Sequence, residues 1–331
     1  MSRPTEDDLI ARYLAPLAVV AGADGLTDDA AVLPEGPGEL VVTKDMAIAG
    51  VHFFPDDPPA TIAAKALRTN LSDLAAKGAV PAGFLLGLGL PPDWTEDFLA
   101  GFCEGLAVDI AAYACPLYGG DTVKVPGPLT ISITAFGRAK RWVRRRGAKA
   151  GDLVCVTGTI GDGALGLAVR AAERDPTAAA SWIGGLTATE RGQLRGRYLL
   201  PQPRTALAEA VAAHASAAMD VSDGLAGDLA KLLKVSGVGA TVAADAVPLS
   251  AAARSALRLD PLLRRTVFTG GDDYEILMTC RPGAFAPLAE AAETVGVPCT
   301  RIGEVTASAG FVVRDGQGNT LDLGPGRFEH F

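Results

Sequence analysis

The sequence predicts an α/β chain, with strands and helices mixed in an α+β manner and folded as two mixed-sheet domains. Three observations lead there. The chain has 331 residues, more than one typical domain holds. In both halves, apolar segments with a period of two alternate with segments repeating every three or four residues. A basic stretch over residues 137–149 interrupts that rhythm, gathering Arg138, Lys140, Arg141, Arg144, Arg145, Arg146 and Lys149. The break sets the expected division: an N-terminal domain over residues 1–140, a basic linker over 141–148 and a C-terminal domain over 149–331.

Each element follows from a local signal. Thr5 is placed as an N-cap, with acids in the first turn and Leu9, Ile10, Tyr13 and Leu14 behind it. Residues 40–43 read as a strand ending in polar side chains. A helix is expected over 61–77, with Leu67, Leu71 and Leu74 on one stripe and Gly78 as its stop. Phe84, Leu86, Leu88 and Leu90 alternate with smaller residues, as in a strand. Thr95 caps the next helix, along which Phe98, Phe102, Leu106 and Ile110 face one side, and Ile131 and Ile133 alternate with Thr130, Ser132 and Thr134 in another strand. Beyond the basic stretch, residues 153–157 form a strand and the Gly-rich turn 158–163 opens a helix. Helices around 206–214 and 225–235, a strand over 274–280 and a hairpin over 311–321, turning at 316–319, complete the pattern.

Composition excludes several functions. Hydrophobic residues make up 49% and charged residues 21%, which rules out a disordered chain. With 30 Lys+Arg against 38 Asp+Glu, the net charge of −8 attracts neither nucleic acid nor an anionic membrane. An anionic ligand would then need local cations or metals. No apolar run approaches the length of a membrane span, and Glu6, Asp7 and Asp8 are wrong for a targeting peptide. Cys103, Cys115, Cys155, Cys280 and Cys299 are odd in number and lack CxxC spacing, which argues against a disulfide framework or zinc site and fits a cytoplasmic protein.

The acids are not evenly spread. They lie in short polar clusters at the ends of apolar segments: Asp28-Asp29, Asp45 after Thr43-Lys44, Asp73 after Asn70-Leu71-Ser72, Asp121 after Gly119-Gly120, Asp220 with Asp223, and Asp272-Asp273 after Gly270-Gly271. Asp at a strand end can hold a hard cation with little entropy loss, and Mg²⁺ takes a few carboxylates plus waters and substrate phosphates. Thr69, Asn70 and Asp73 share one side of an otherwise Ala/Leu helix. Taken singly, each cluster is also ordinary turn chemistry. The P-loop and kinase-fold motifs are absent. Gly158-Thr159-Ile160-Gly161-Asp162-Gly163 reads equally as a phosphate loop or a plain helix start. The basic stretch reads either as a solvated linker or as arginines reaching phosphates. His52 is structural or donates to an anionic substrate, while His214 and His330 receive no role.

In order, these clusters resemble the thiamine-monophosphate kinase family. The matching stretches are Asp28-Asp29-Ala30-Ala31, Asp45 through Ala49-Gly50-Val51-His52-Phe53, Asn70-Leu71-Ser72-Asp73-Leu74-Ala75-Ala76-Lys77-Gly78 and Gly119-Gly120-Asp121-Thr122. They continue with Val156-Thr157-Gly158-Thr159-Ile160-Gly161, Asp220-Val221-Ser222-Asp223-Gly224-Leu225 and Gly270-Gly271-Asp272-Asp273-Tyr274-Glu275. The resemblance implies the two-domain architecture shared with aminoimidazole ribonucleotide synthetase and selenophosphate synthetase, and a homodimer paired through the N-terminal sheets. It implies ATP-dependent conversion of thiamine monophosphate to thiamine diphosphate, with several Mg²⁺ ions. Carried over residue by residue, the metal ligands are Asp29, Thr43, Asp45, Asp73, Asp121, Asp220 and Asp223. ATP contacts fall on Gly120, Asp121, Arg145 and Ser222, and substrate contacts on His52 and Asp272. The sequence departs from the family at Thr27 for Gly, at Lys44 for Thr and at Asp272 for Glu. Leu323 stands at the place of an aromatic substrate contact, with Phe328 nearby as a substitute. Two other readings stay open: an ATP-dependent ligase of the same architecture, and a non-catalytic scaffold that binds nucleotide and Mg²⁺.

Overall fold

The computed structural model describes residues 5–27 and 30–323. Thr5 caps α1 (Glu6–Leu9), its hydroxyl accepting from the Asp8 amide at 3.2 Å. The N-terminal half continues through β1 (Glu39–Ile48), α2 (Pro59–Ala76), β2 (Val80–Leu90), α3 (Glu96–Tyr113), β3 (Leu117–Lys124) and β4 (Thr130–Ala139). Its sheet runs β1-β4-β2-β3, antiparallel except for β2 beside β3. Both long helices end and begin as their sequences dictate. Gly78, at φ +72°, follows α2 as a left-handed stop, and Thr95 accepts from the Phe98 amide at 3.1 Å to cap α3. The helices cover one face of the sheet, where Leu86, Leu88, Ile131 and Ile133 are buried against Leu67, Leu71 and Phe102. Leu40, Val42 and Met46 point to the other face and are exposed.

The C-terminal half contains β5 (Leu153–Thr157), α4 (Asp162–Arg174), α5 (Ser181–Gly185), α6 (Ala188–Leu199), α7 (Ala208–His214) and β6 (Ala215–Asp220). It continues with α8 (Leu225–Ser236), β7 (Gly239–Ala243), α9 (Ala251–Leu259), α10 (Leu263–Thr269), β8 (Ile276–Cys280), α11 (Pro282–Thr294), β9 (Cys299–Thr306) and β10 (Gly310–Arg314). The sheet order is β10-β7-β9-β5-β8-β6, and only β10 with β7 is parallel. β5 is buried on both faces, which explains its unbroken apolar run. The expected hairpin after Phe311 is present but short: the Asp315 amide donates to the Asn319 carbonyl and the Leu321 amide to the Val313 carbonyl, both at 2.9 Å. Asp315 accepts from the amides of Gln317 and Asn319, and the return limb makes one bridge, Arg314 with Thr320, while the ladder of β10 goes to β7.

The two halves share a core. Ala75 and Ala76 at the end of α2 pack with Val143, Leu207, Val211, Ile276 and Met278. The basic stretch is seated in the same junction rather than solvated throughout. Arg141 donates from Nε to the Ala212 carbonyl at 2.6 Å and from Nη2 to the Ala215 carbonyl at 2.7 Å. Val143 is fully buried, and its amide donates to the Lys77 carbonyl at 3.0 Å.

Candidate active site at the domain junction

Helix α2 carries the polar side chains that face the C-terminal half. Alternation along β1 puts Thr43 and Asp45 on the side of α2. The Thr43 hydroxyl donates to Asp73 Oδ2 at 2.5 Å, and Thr69 hydrogen-bonds Asp45. From the other half, β6 delivers Asp220 against Ser72 and Asp73 of α2. The turn that follows is held from below. Buried Asp228, in the first turn of α8, accepts from the amides of Ser222 at 3.1 Å and Asp223 at 3.0 Å. Lys231 pairs with Asp228 at 2.8 Å and with Asp223.

Four carboxylates from the two halves therefore converge: Asp45, Asp73, Asp220 and Asp223. For Asp45 and Asp220 the effect of burial and of neighbouring charge shows in their proton affinities. Burial, then the neighbouring charge of Asp73 and more weakly that of Asp223, pushes Asp45 up to about 6. Burial and then Asp73 raise Asp220 well above the ordinary carboxylate range. Lys77 is the nearby cation; burial, helped by Arg145, lowers its proton affinity, and its ammonium donates to the Ala218 carbonyl at 2.7 Å. The donor set is all oxygen, which suits a hard divalent cation. Among the described residues no three acids already stand in metal-holding geometry. The set therefore fits ions shared with ligand phosphates better than an all-protein cage.

A second loop, residues 270–275, is bolted to the first. The Asp272 amide donates to the Ser222 carbonyl at 2.9 Å, and the Tyr274 amide to the Val221 carbonyl at 2.8 Å. Asp273 settles the reading of the Gly-rich turn. Its carboxyl oxygens accept from the Gly161 amide at 2.7 Å and the Gly163 amide at 3.0 Å, so the start of α4 is already occupied by a side chain of the protein, whose carboxyl burial pushes up to about 8. Glu275 is fully buried beneath, with Arg197 at 2.9 Å, Arg204 across a two-bond fork and the Thr157 hydroxyl at 2.7 Å. Asp272 is the half-buried member. Lys65 of α2 reaches across to its Oδ2 at 2.8 Å, and the Tyr274 hydroxyl donates to its Oδ1 at 3.1 Å. The Lys65 ammonium also sits 3.6 Å from the centroid of the Tyr198 ring.

The remaining sequence candidates are distributed as follows. His52 Nδ1 accepts from the Ile48 amide at 3.1 Å, which leaves the proton of the neutral ring on Nε2 as a donor. Its loop is pinned to the other half through Asp57, which accepts from the Phe54 amide and pairs with Arg170 at 2.7 Å. Arg145 is exposed near Lys77. Asp121 is not gathered with the four acids. It is in register with Gly87 and Ser132, on the sheet face opposite Asp45, where Gly120, Lys44, Ser132 and Thr134 line a cleft of about 610 Å³. Lys44 is hydrogen-bonded to Ser132 there. Leu323 packs against the C-terminal core. Asp29 and Phe328 lie outside the described residues.

Sequence reading missed Lys65, Lys77, Tyr198, Asp228 and the Glu275 cluster. Lys65 had a signal: with Thr69 and Asp73 it falls at four-residue steps, one turn beyond the polar stripe already noted. The others depend on pairings far apart in the chain.

Gly158 explains why the loop beside Glu275 is glycine. Its φ is +57°, and a Cβ there would stand 2.1 Å from Glu275 Oε1. Gly158→Ala is expected to destabilise the chain by roughly 2–4 kcal/mol, read as a lower denaturation midpoint. An unchanged midpoint would refute the close approach.

The chain is similar in sequence and fold to known proteins. The description "AIR synthase related protein, N-terminal domain" matches residues 27–139, and "AIR synthase related protein, C-terminal domain" matches 149–316. The sequence is 43% identical to a thiamine-monophosphate kinase of Caulobacter vibrioides, over 93% of this chain and 86% of that one. A solved thiamine-monophosphate kinase from Stenotrophomonas maltophilia superposes with a TM-score of 0.79 at 36% identity, covering 95% of this chain and 96% of that one. A structure described as AaThiL complexed with AMPPCP and TMP superposes with a TM-score of 0.77 at 29% identity, covering 88% of this chain and 87% of that one.

Proposed function

The chain belongs to the thiamine-monophosphate kinase family, and from that premise we infer that it transfers the γ-phosphoryl group of ATP to thiamine monophosphate, giving ADP and thiamine diphosphate. The observation that carries this reading to the residues is the meeting of Asp45 and Asp73 with Asp220 and Asp223 at one junction.

The chemistry needs little from a general base. The attacking atom is a phosphate oxygen, already ionised at neutral pH. The barrier is electrostatic and positional, because one anion must approach another in line. Several Mg²⁺ ions, when bound, would neutralise the phosphates and align them. Asp45, Asp73, Asp220 and Asp223, with the Thr43 hydroxyl, would hold them from the protein side. Asp29 is proposed for the same ligand set, while Asp121, on the opposite face of the sheet, would ligate a cation apart from these four. Gly120, Ser222 and Arg145 are assigned to ATP, Arg145 as a charge at the edge of the junction. His52 Nε2–H suits the acceptor phosphate. Asp272, fixed by Lys65 and Tyr274, suits the cationic or amino part of thiamine, and Leu323 is the apolar candidate for its ring. Transfer is direct, without a phosphoenzyme.

We place the domain division at 141–148. The exposed Leu40, Val42 and Met46 on the helix-free face support pairing with a second copy of the chain. The five free thiols support a cytoplasmic setting.

Incubating the protein with ATP, Mg²⁺ and thiamine monophosphate tests the function. Equimolar ADP and thiamine diphosphate are expected. A ligase would release inorganic phosphate with ADP, and a scaffold would make no ADP; either outcome contradicts the proposal.

A further inference from the structure

Three of the five cysteines meet on one face of the C-terminal sheet. Cys155 lies in the middle of β5, Cys280 ends β8 and Cys299 begins β9, with β5 between the other two strands. On one side Cys155 is in register with Met278, and Leu153 with Cys280. On the other, Cys155 is in register with Arg301, and Thr157 with Cys299. Each neighbour is thus a diagonal partner of Cys155 on the same face of the sheet. A bulge between Val154 and Cys155 interrupts the pairing with β9 and bends the strand at this point. All three residues pack in one apolar cluster with Leu153, Leu288 and Ala292.

Cys155 has Cys280 and Cys299 as its side-chain hydrogen-bond neighbours, its single S–H serving one of them at a time. Access separates them: Cys155 and Cys280 are fully buried, while Cys299 is half-buried at the start of its strand. A hydrogen bond from Cys155 lowers the Cys299 thiol as it does the Cys280 thiol, and of the two only Cys299 is reached from solvent. A metal role is not supported, since no group of three or more such ligands among the described residues is set to hold an ion. Packing alone would be served equally by Ala or Val.

We propose that Cys299 and Cys155 form a reversible redox couple, in which Cys299 reacts with a hydroperoxide and Cys155 resolves it as a disulfide. In the first step the Cys299 thiolate attacks the peroxide. An S–O bond forms, the O–O bond breaks, the sulfur is oxidised by two electrons and the leaving oxygen departs as hydroxide. In the second step the sulfur of Cys155 attacks the sulfenic sulfur. The S–S bond forms, the S–O bond breaks, and hydroxide leaves with the Cys155 proton as water. Two thiols and one hydrogen peroxide thus give one disulfide and two waters. A dithiol reductant reverses the change.

The test is peptide mapping of the folded, full-length protein after brief treatment with hydrogen peroxide. A Cys155–Cys299 cross-link is expected, with an intact mass lower by about 2 Da and recovery on adding dithiothreitol. In Cys155→Ser, the Cys299 sulfenic acid should persist and be trapped by a dione reagent. In Cys280→Ser, the cross-link should still form. The proposal is overturned if Cys299 stays reduced, if it passes to sulfinic acid without a cross-link, or if the disulfide joins Cys155 to Cys280 only. Should Cys155→Ser fail to fold, Cys299→Ser decides the same point. It should show no disulfide at the same dose, and a Cys155–Cys280 disulfide there would count against entry through Cys299.

Discussion

Asp73→Asn is expected to lower kcat about a thousandfold, because a ligand whose charge stabilises the transferring phosphates contributes several kcal/mol and each 1.36 kcal/mol is tenfold. The same change should not unfold the protein. Asp73 stands beside Asp45 and Asp220, and both carboxyls are pushed upward partly by its charge. Removing that charge relieves repulsion in the metal-free chain, while the amide keeps an oxygen for the Thr43 hydroxyl now 2.5 Å away. Thermal unfolding without metal should therefore stay within about 2 °C of the parent or rise. Steady-state kinetics with thiamine monophosphate and a thermal melt check the two halves of the prediction together. Near-normal turnover would remove Asp73 from the metal site. A large fall in the melting midpoint would show that its role is structural.

Glu275→Ala should show the opposite pattern, with stability lost first. The Glu275 side chain is fully buried, and the Arg197 and Arg204 side chains that meet it are only 10% and 15% exposed. Deleting the carboxylate leaves two buried guanidinium groups without their shared partner and also strips the Thr157 hydroxyl of its acceptor. Breaking a buried ion pair in this way costs about 3–5 kcal/mol. For a domain of this size that is a fall of about 6–20 °C in Tm. Glu275→Gln keeps the shape and an acceptor and should lie between parent and Ala. Equal melting of all three would mean that the cluster is not a structural tie. The cluster matters to function because Glu275 continues the segment that holds Asp272 and Asp273. Its carbonyl also accepts from the Val221 amide at 2.8 Å, next to Ser222.

Much of this was legible before any coordinates. The strand and helix pattern places α2, β2, α3 and β5 within a few residues, because their periodicities are long and their caps explicit. Thr95 at the start of α3 and Gly78 after α2 are examples. β1 runs on to Ile48, five residues past the expected end at Thr43, because its polar side chains sit on a half-exposed edge strand. The ordered acidic clusters identify the family. What the sequence could not express is which acids share space. Asp45 and Asp73 meet because β1 and α2 pack face to face. Asp121 belongs to the other side of the same sheet, since register with Gly87 and Ser132 turns it away. The Gly-rich turn illustrates a different obscurity. Its amides could meet a phosphate, yet they are taken by the Asp273 carboxyl, more than a hundred positions along the chain. No local pattern distinguishes a loop awaiting phosphate from one already satisfied. Lys65 lay on a stripe the sequence showed, but its partner Asp272 is supplied by the other half of the molecule.

The claim on which the mechanism depends is that carboxylates from both halves hold divalent ions jointly with the nucleotide. Mn²⁺ titration followed by electron paramagnetic resonance, with a non-hydrolysable ATP analogue present, measures that directly. Saturable binding is predicted for the parent, weakened alike by Asp45→Asn and Asp73→Asn from one half and by Asp220→Asn from the other. Superimposable titrations for the parent and all three variants would contradict it.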